Sequence, residues 1–235
     1  MDDRWQRWLI RLTAATMPLL LLVLALRLVT LPWFPAFAYA LPLVPDDPYG
    51  LTRAERRAMA RICIADLNLP QGPQWMREAR LPDGSVAFTE GELAHMDDVR
   101  RLYDRLTRVA FLLALMAAAM LYALKRRGGR PAVGEALAMG GAATLGMLPL
   151  LAFLIALDWE QFFVGLHHLF FRAGTWRFAY ESTLIRLFPE AFWQLAAATV
   201  TALWVAFGAG AIALGRWLRR SASLPSPLST EGRER

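Results

Sequence analysis

Three imidazoles stand out in this chain: His95, His167 and His168. Histidine is the side chain whose ordinary pKa suits proton transfer near neutral pH. None of the three lies in the long apolar blocks. They fall in two segments, 42–108 and 158–190, so two separate places can present an imidazole. Glu92 and Asp98 lie three residues either side of His95 and share its face if the segment is helical. A carboxylate there can fix the imidazole's tautomer and stabilise its protonated form; the plain reading is a solvated acidic face. His167 sits beside Leu166 and at helical spacing from Phe163 and Phe170. Aromatic surroundings desolvate an imidazole and disfavour its charged form, which prepares a neutral base or a hydrogen-bond donor. The plain reading of all three is a histidine filling a polar site at a membrane interface.

Other chemistries find little support. There is no Gly-x-Ser-x-Gly elbow, no glycine-rich phosphate loop and no Cys-x-x-Cys pair. The single cysteine, Cys63, can form no internal disulfide and reads as a small buried hydrophobe. No His-x-x-x-His pair offers a metal site, so neither a metal nor a cofactor is expected. A formal net charge of +6 raises the question of nucleic acid, but the basic excess sits at the edges of apolar blocks. It occurs in Arg4, Arg7 and Arg11, in Lys125, Arg126, Arg127 and Arg130, and in Arg216, Arg219 and Arg220. That is a topology signal, and a nucleic-acid partner is rejected.

Those blocks must position the histidines. The chain of 235 residues is 56% hydrophobic, and its apolar residues are massed instead of alternating. A span needs roughly 20 apolar residues, and backbone in lipid must satisfy its own amides, which favours helices. Uncharged runs cover 109–124, 136–157 and 191–215, and Arg27 is the one charge between Arg11 and Asp46. The predicted fold is mainly α: a polytopic membrane protein with four transmembrane helices and a small outer-face α+β subdomain. The expected organisation is a cytoplasmic N-terminus and first span over 1–41 and an outer subdomain over 42–108. A second span over 109–124, a cytoplasmic loop over 125–135 and a third span over 136–157 follow. An aromatic outer segment over 158–190, a fourth span over 191–215 and a disordered cytoplasmic tail over 216–235 complete it. Arg27 should snorkel to the outer headgroups.

Within the outer subdomain, Thr52 with Glu55 and Thr89 with Glu92 read as capping boxes, each opening a helix. The first helix should run to about Leu67 and end at Pro70, Gly72 and Pro73. Between the two helices, Pro82-Asp83-Gly84 suggests a short β-hairpin over 77–88. Small residues Gly140, Gly141 and Gly146 permit close helix contact in the third span. Pro189 suits the start of the fourth.

Residues 88–99 (FTEGELAHMDDV), 166–176 (LHHLFFRAGTW) and 182–190 (STLIRLFPE) resemble the two signatures of a family of four-span bacterial membrane proteins. It is the family of the lipoprotein intramolecular transacylases, many of whose members are uncharacterised. The resemblance implies an acyltransferase that moves the sn-2 acyl chain of a diacylglyceryl-modified lipoprotein to its N-terminal cysteine amine, giving a lyso-form lipoprotein. It implies partners that are such a lipoprotein and membrane lipids, a multi-pass place in the bacterial cytoplasmic membrane, and a site on the outer face. The important histidines correspond to His95 and His167, with Glu92, Asp98 and Trp176 in support, while His168 stands where other members often differ.

The residues suit that chemistry. Attack by an α-amine needs a base, and the developing oxyanion needs a donor. The first assignment makes His95, oriented by Glu92 or Asp98, the base, and His167 the donor or acid; the roles can be swapped. No acyl-enzyme is required, since both reacting groups belong to one substrate. A straight helix would hold His95 about 20 Å from a span starting at Val109, at ~1.5 Å per residue. A bend or an in-plane run between Glu92 and Arg108 is therefore expected. Two competing readings remain. A partner-binding module predicts histidines far apart and unrelated in direction. A membrane-lipid hydrolase needs a water-accessible cleft. Four spans without a buried acid pair make a poor transporter.

Overall fold

A computed structural model describes residues 3–68, 74–149 and 158–221. The helices in order are α1 (Asp3–Val29), α2 (Trp33–Ala40), α3 (Arg53–Asn68), α4 (Gln74–Glu78), α5 (Glu90–Gly146), α6 (Trp159–Phe170), α7 (Thr183–Leu187) and α8 (Glu190–Arg220). Three described helices, Arg4–Val29, Glu90–Gly146 and Glu190–Arg220, are long and apolar enough to cross a membrane. The chain is mainly helical, and among the described residues there is no strand. The Pro70, Gly72 and Pro73 helix stop, the later part of the expected third span (150–157) and most of the expected tail lie outside the described residues.

The chain divides into two units. The first comprises Met1–Leu22, Ala110–Pro149 and Leu203–Arg235. Its polypeptide turns at Gly129, the one non-helical position inside α5 (φ 66°, ψ −164°), where a left-handed φ suits glycine and Pro131 opens the next helical stretch. A small core forms from Ile10, Leu124, Ala132 and Ala136. Close approach is built from glycine: a Cβ on Gly141 would strike the carbonyl oxygen of Gly208, and Gly134 and Gly215 would each strike the other's carbonyl. At the basic end, Arg127 lies over the Trp5 ring at 4.5 Å and Arg130 over Trp217 at 5.1 Å. The Trp204 indole donates to the Pro18 carbonyl at 2.9 Å.

The second unit comprises Val23–Val109 and Leu150–Ala202. Both capping boxes form. Thr52 N donates to Glu55 Oε2 at 2.7 Å and Thr89 N to Glu92 Oε2 at 2.8 Å, with the return bonds from Glu55 N and Glu92 N to the threonine hydroxyls. The expected hairpin is reduced to its turn and a single bridge. Pro82-Asp83-Gly84 turns the chain, with Gly84 at φ 85° and Asp83 Oδ1 accepting from Ser85 N, but pairing stops at one bridge, Arg80 to Val86. The flanks are too short to extend a ladder, since α4 ends at Glu78 and α5 begins at Glu90, so the described part of the subdomain is helical and irregular where α+β was expected. The core joins Met59 and Cys63 of α3 with Met76, Phe88, Leu93, Leu184 and Leu187.

The expected bend between Glu92 and Arg108 is also absent. The α5 backbone keeps helical angles until Gly129. Arg27 lies with its guanidinium 4.8 Å from the Tyr103 ring. The Tyr103 hydroxyl in turn bonds Thr30 Oγ1 at 2.6 Å and donates to Asn68 Oδ1 at 3.1 Å.

A methyl at Gly141 meets backbone, which cannot yield as a side chain can. Gly141→Ala is expected to lower stability by about 1–3 kcal/mol in detergent thermal unfolding. Gly210→Ala, in the same unit with nothing within 4 Å of its Cβ, should be neutral or slightly stabilising.

Candidate active site

His95 stands on the second turn of α5, which the Thr89–Glu92 capping box begins. His167 stands on the last turn of α6, which Asp158 caps by accepting from Glu160 N and Gln161 N. The two rings, 72 positions apart in the chain, come together with centroids 6.2 Å apart and planes inclined by 26°. Phe171 closes on both, at 5.1 Å from His95 and 5.6 Å from His167. Phe178 lies 5.8 Å from His95, and Phe163 and Trp176 lie 4.1 and 4.7 Å from His167. Both histidines line one cleft of about 340 Å³, within the size range of small-ligand sites. Its walls are nearly all apolar, with Phe34, Ile64, Val99, Leu102, Phe188 and Phe192 among them. All of its residues belong to the second unit.

The hydrogen bonds separate the two imidazoles. His167 Nδ1 lies 2.8 Å from the Phe163 carbonyl oxygen. A carbonyl only accepts, so Nδ1 carries the proton and Nε2 of the neutral ring carries the lone pair. His95 is 8% exposed, and its Nδ1 is buried without a hydrogen-bond partner. Burial, then the charge of His167, push the His95 pKa from 6.5 to about 4, against a smaller opposing pull from Asp98. Burial also holds His167 below its ordinary value; the Phe163 bond acts the other way and His168 adds to the lowering. Both are therefore neutral at physiological pH. His95 lies upstream of the uncharged 109–124 stretch of α5.

The supporting residues are partly reassigned. Glu92 does not orient His95. Its carboxylate, 1% exposed, accepts from Thr89 N and Oγ1 through Oε2 and from Leu184 N at 2.8 Å through Oε1. It is spent on backbone donors, and this bond fastens α7 to the start of α5. Asp98 accepts from Arg101 Nη2 at 2.6 Å and reaches His95 only through its charge. Trp176 is in the site: it is 8% exposed, lines the cleft, and has its Nε1 buried without a partner. His168 is exposed, edge-on to Trp176 at 5.3 Å and 84°, and does not line the cleft. Cys63 is buried, as expected, and forms part of the cleft wall.

Sequence reasoning missed the latches around α7. Thr183 Oγ1 donates to the Ala87 carbonyl, and the Tyr39 hydroxyl donates to the Leu187 carbonyl. The Arg186 guanidinium pairs with the buried Asp47 carboxylate, Nη2 to Oδ2 at 2.9 Å. Each joins residues more than 90 positions apart, so spacing could not reveal it. Phe171 and Phe178 could have been found: both lie in or beside the second histidine segment.

The model of the family described as lipoprotein intramolecular transacylase Lit matches residues 10–193. Solved structures of Lit from Bacillus cereus share the fold, at 19% identity. One, with a histidine replaced by arginine, has a TM-score of 0.74 and covers 93% of this chain and 94% of that one. A second has a TM-score of 0.72, covering 94% and 99%. A third, with that histidine replaced by alanine, has a TM-score of 0.74, covering 93% and 96%. An uncharacterised protein of Aquifex aeolicus is 27% identical over 191 residues, 81% of this chain and 85% of the relative.

Two outcomes follow from the site. Glu92→Ala would leave the buried Leu184 amide unpaired and remove the cap on the Thr89 amide; it should cost about 2–4 kcal/mol in denaturant unfolding. For His95, the unfolded chain protonates near 6.5 and the folded protein only near 4. Between those values the unfolded state binds the extra proton, so stability falls as pH drops through that window and is flat above it. His95→Phe should flatten that acid limb in melting curves recorded against pH.

Proposed function

The chain belongs to the lipoprotein intramolecular transacylase family, and from that premise we propose that it transfers the sn-2 acyl chain of a diacylglyceryl-modified lipoprotein to the amine of its N-terminal cysteine. The observation that carries the reading is the meeting of two neutral imidazoles, from two distant segments, on one apolar cleft. An acyl chain suits the cleft walls, and a neutral base suits an amine nucleophile. In our reading the protein crosses the bacterial cytoplasmic membrane four times, with the break at Gly129 separating the second and third spans. The basic ends then face the cytoplasm and the cleft opens to the outer leaflet.

The Phe163 bond favours the swapped assignment of roles. His167, with its Nε2 lone pair free, takes a proton from the amine as the N–C bond forms at the ester carbonyl carbon. The resulting imidazolium returns that proton to the sn-2 glycerol oxygen as its C–O bond breaks. An amide and a free hydroxyl result, and His167 is neutral again. His95, stacked beside it at 6.2 Å, contacts the substrate in the same cleft. Asp98 tempers its desolvation by charge. No acyl-enzyme is needed, because binding holds amine and ester together at high effective concentration.

With 92–108 helical and without a bend, the cleft wall itself supplies a route between lipid and His95. Met96, Val99 and Leu102 extend the apolar wall down the helix from His95 toward the uncharged stretch. An acyl chain can then be drawn up to the histidine where the histidine was expected to come down. The partner-module reading fares poorly, since it requires unrelated histidines. The hydrolase reading is the less favoured, since the cleft walls are nearly all apolar and suit an acyl chain better than bulk water.

The reading is tested by mass spectrometry of a reporter lipoprotein's N-terminal peptide, in cells expressing the protein or its His95→Ala or His167→Ala forms. The expected product, an N-acylated monoacylglyceryl cysteine, should appear with the unmutated protein alone. Unchanged diacylglyceryl cysteine in every case, with the protein well expressed, would remove the activity and leave the fold.

A further inference from the structure

The proton shuttle just described leaves one charge unattended. When the amine adds to the ester carbonyl, negative charge develops on the carbonyl oxygen, and stabilising it is commonly the largest electrostatic task in acyl transfer. His167 is unsuited to it while neutral: its only N–H is committed to the Phe163 carbonyl. Among the described residues, four buried side-chain polar atoms lack a hydrogen-bond partner: Arg56 Nε, His95 Nδ1, Thr107 Oγ1 and Trp176 Nε1. Two of these residues, His95 and Trp176, line the cleft. Buried polar atoms are nearly always paired, so an orphan in a cleft wall asks for a ligand. Of the two, only the indole is a donor under every condition: it has no lone pair in the ring plane, no second tautomer and no titration. It is also the nearer to the base, with ring centroids 4.7 Å apart against 6.2 Å for His95 and His167.

We propose that Trp176 is a catalytic residue whose Nε1–H donates to the oxyanion formed from the sn-2 ester carbonyl, beside the His167 base. This rests on the transacylase reading and supplies its missing donor. The loop before the indole is turned, with Gly174 at φ 83° and the Thr175 hydroxyl donating to the Arg172 carbonyl at 2.9 Å. His167, His168 at 5.3 Å and the Arg177 guanidinium at 5.1 Å surround the ring, which fixes its plane and so the direction of the N–H. The bond is made in the step itself. As the amine nitrogen joins the carbonyl carbon, the carbonyl π pair moves onto oxygen and accepts from the indole. As the C–O bond to glycerol breaks, that pair returns and the donor is released. No proton leaves the indole.

The test is steady-state kinetics of purified protein on a synthetic diacylglyceryl lipopeptide, following the N-acyl product. Trp176→Phe keeps a ring and removes the N–H. It should lower kcat by about 10²–10³-fold with KM nearly unchanged, which is the usual loss for one oxyanion donor. Trp176→His restores a ring N–H and should recover part of the rate. Full kcat in Trp176→Phe overturns the proposal, as does a raised KM with kcat unchanged, which would make the indole a wall. Loss of the folded, monodisperse protein in both variants overturns it too, leaving a structural indole. An inactive unmutated protein in the same assay would instead sink the transacylase reading, so the two failures are told apart.

Discussion

The carboxylate of Glu92 is the interaction on which the site depends. It is buried, and it accepts from three donors: the amide and hydroxyl of Thr89 and the amide of Leu184. The first two start α5 and so set where its second turn, with His95, must stand. The third holds the segment that follows Trp176 and Phe178. A single carboxylate thus brings the two motif-bearing stretches of the chain into register across 92 positions. A buried carboxylate is tolerable only when its acceptors are used, and charge-assisted bonds to backbone amides are the strong kind. The Thr183–Ala87 and Tyr39–Leu187 bonds and the Asp47–Arg186 pair add separate anchors to the same short helix.

With that frame fixed, the character of the histidines follows from what surrounds them. Rings from Phe163, Phe171, Trp176 and Phe178 exclude water, and exclusion of water is what keeps both imidazoles uncharged. The two are also neighbours, so protonating one raises the cost of protonating the other. On the transacylase reading that coupling suits a single-proton shuttle, in which one imidazole at a time carries charge while the amine proton is in transit. The same apolar enclosure that suppresses charge on His95 strengthens each hydrogen bond made inside it.

The capping boxes at Thr52 and Thr89 were legible because their physics is local, three residues from donor to acceptor. His95 and His167 were legible through their motifs, and Trp176 with them. Glu92 was named for the right place and the wrong reason: helical spacing put it on the face of His95, but its capping threonine and a backbone amide 92 residues away had the better claim. The hairpin over 77–88 shrank to one bridge because a turn signal states where the chain reverses and says nothing of how far it pairs afterwards. The Asp47–Arg186 pair and the Tyr39 latch were invisible, since no pattern along the chain records a contact made only by folding.

The missing bend is the most informative difference. The expectation treated the membrane as a fixed plane and asked the helix to deliver the histidine to it. A stretch of α5 that stays helical over 92–108, with an apolar stripe from Met96 through Val99 to Leu102, solves the same problem from the other side. Bending a helix exposes backbone amides that must find new partners, a heavy cost near lipid. Lining a cleft with side chains exposes none. On the transacylase reading this has a chemical consequence. An ester raised into the cleft leaves bulk water behind it, so the amine tethered to the same substrate meets the carbonyl with few competing nucleophiles. On that reading the apolar walls favour transfer over hydrolysis, because walls that guide an acyl chain to His95 and His167 also keep water from it.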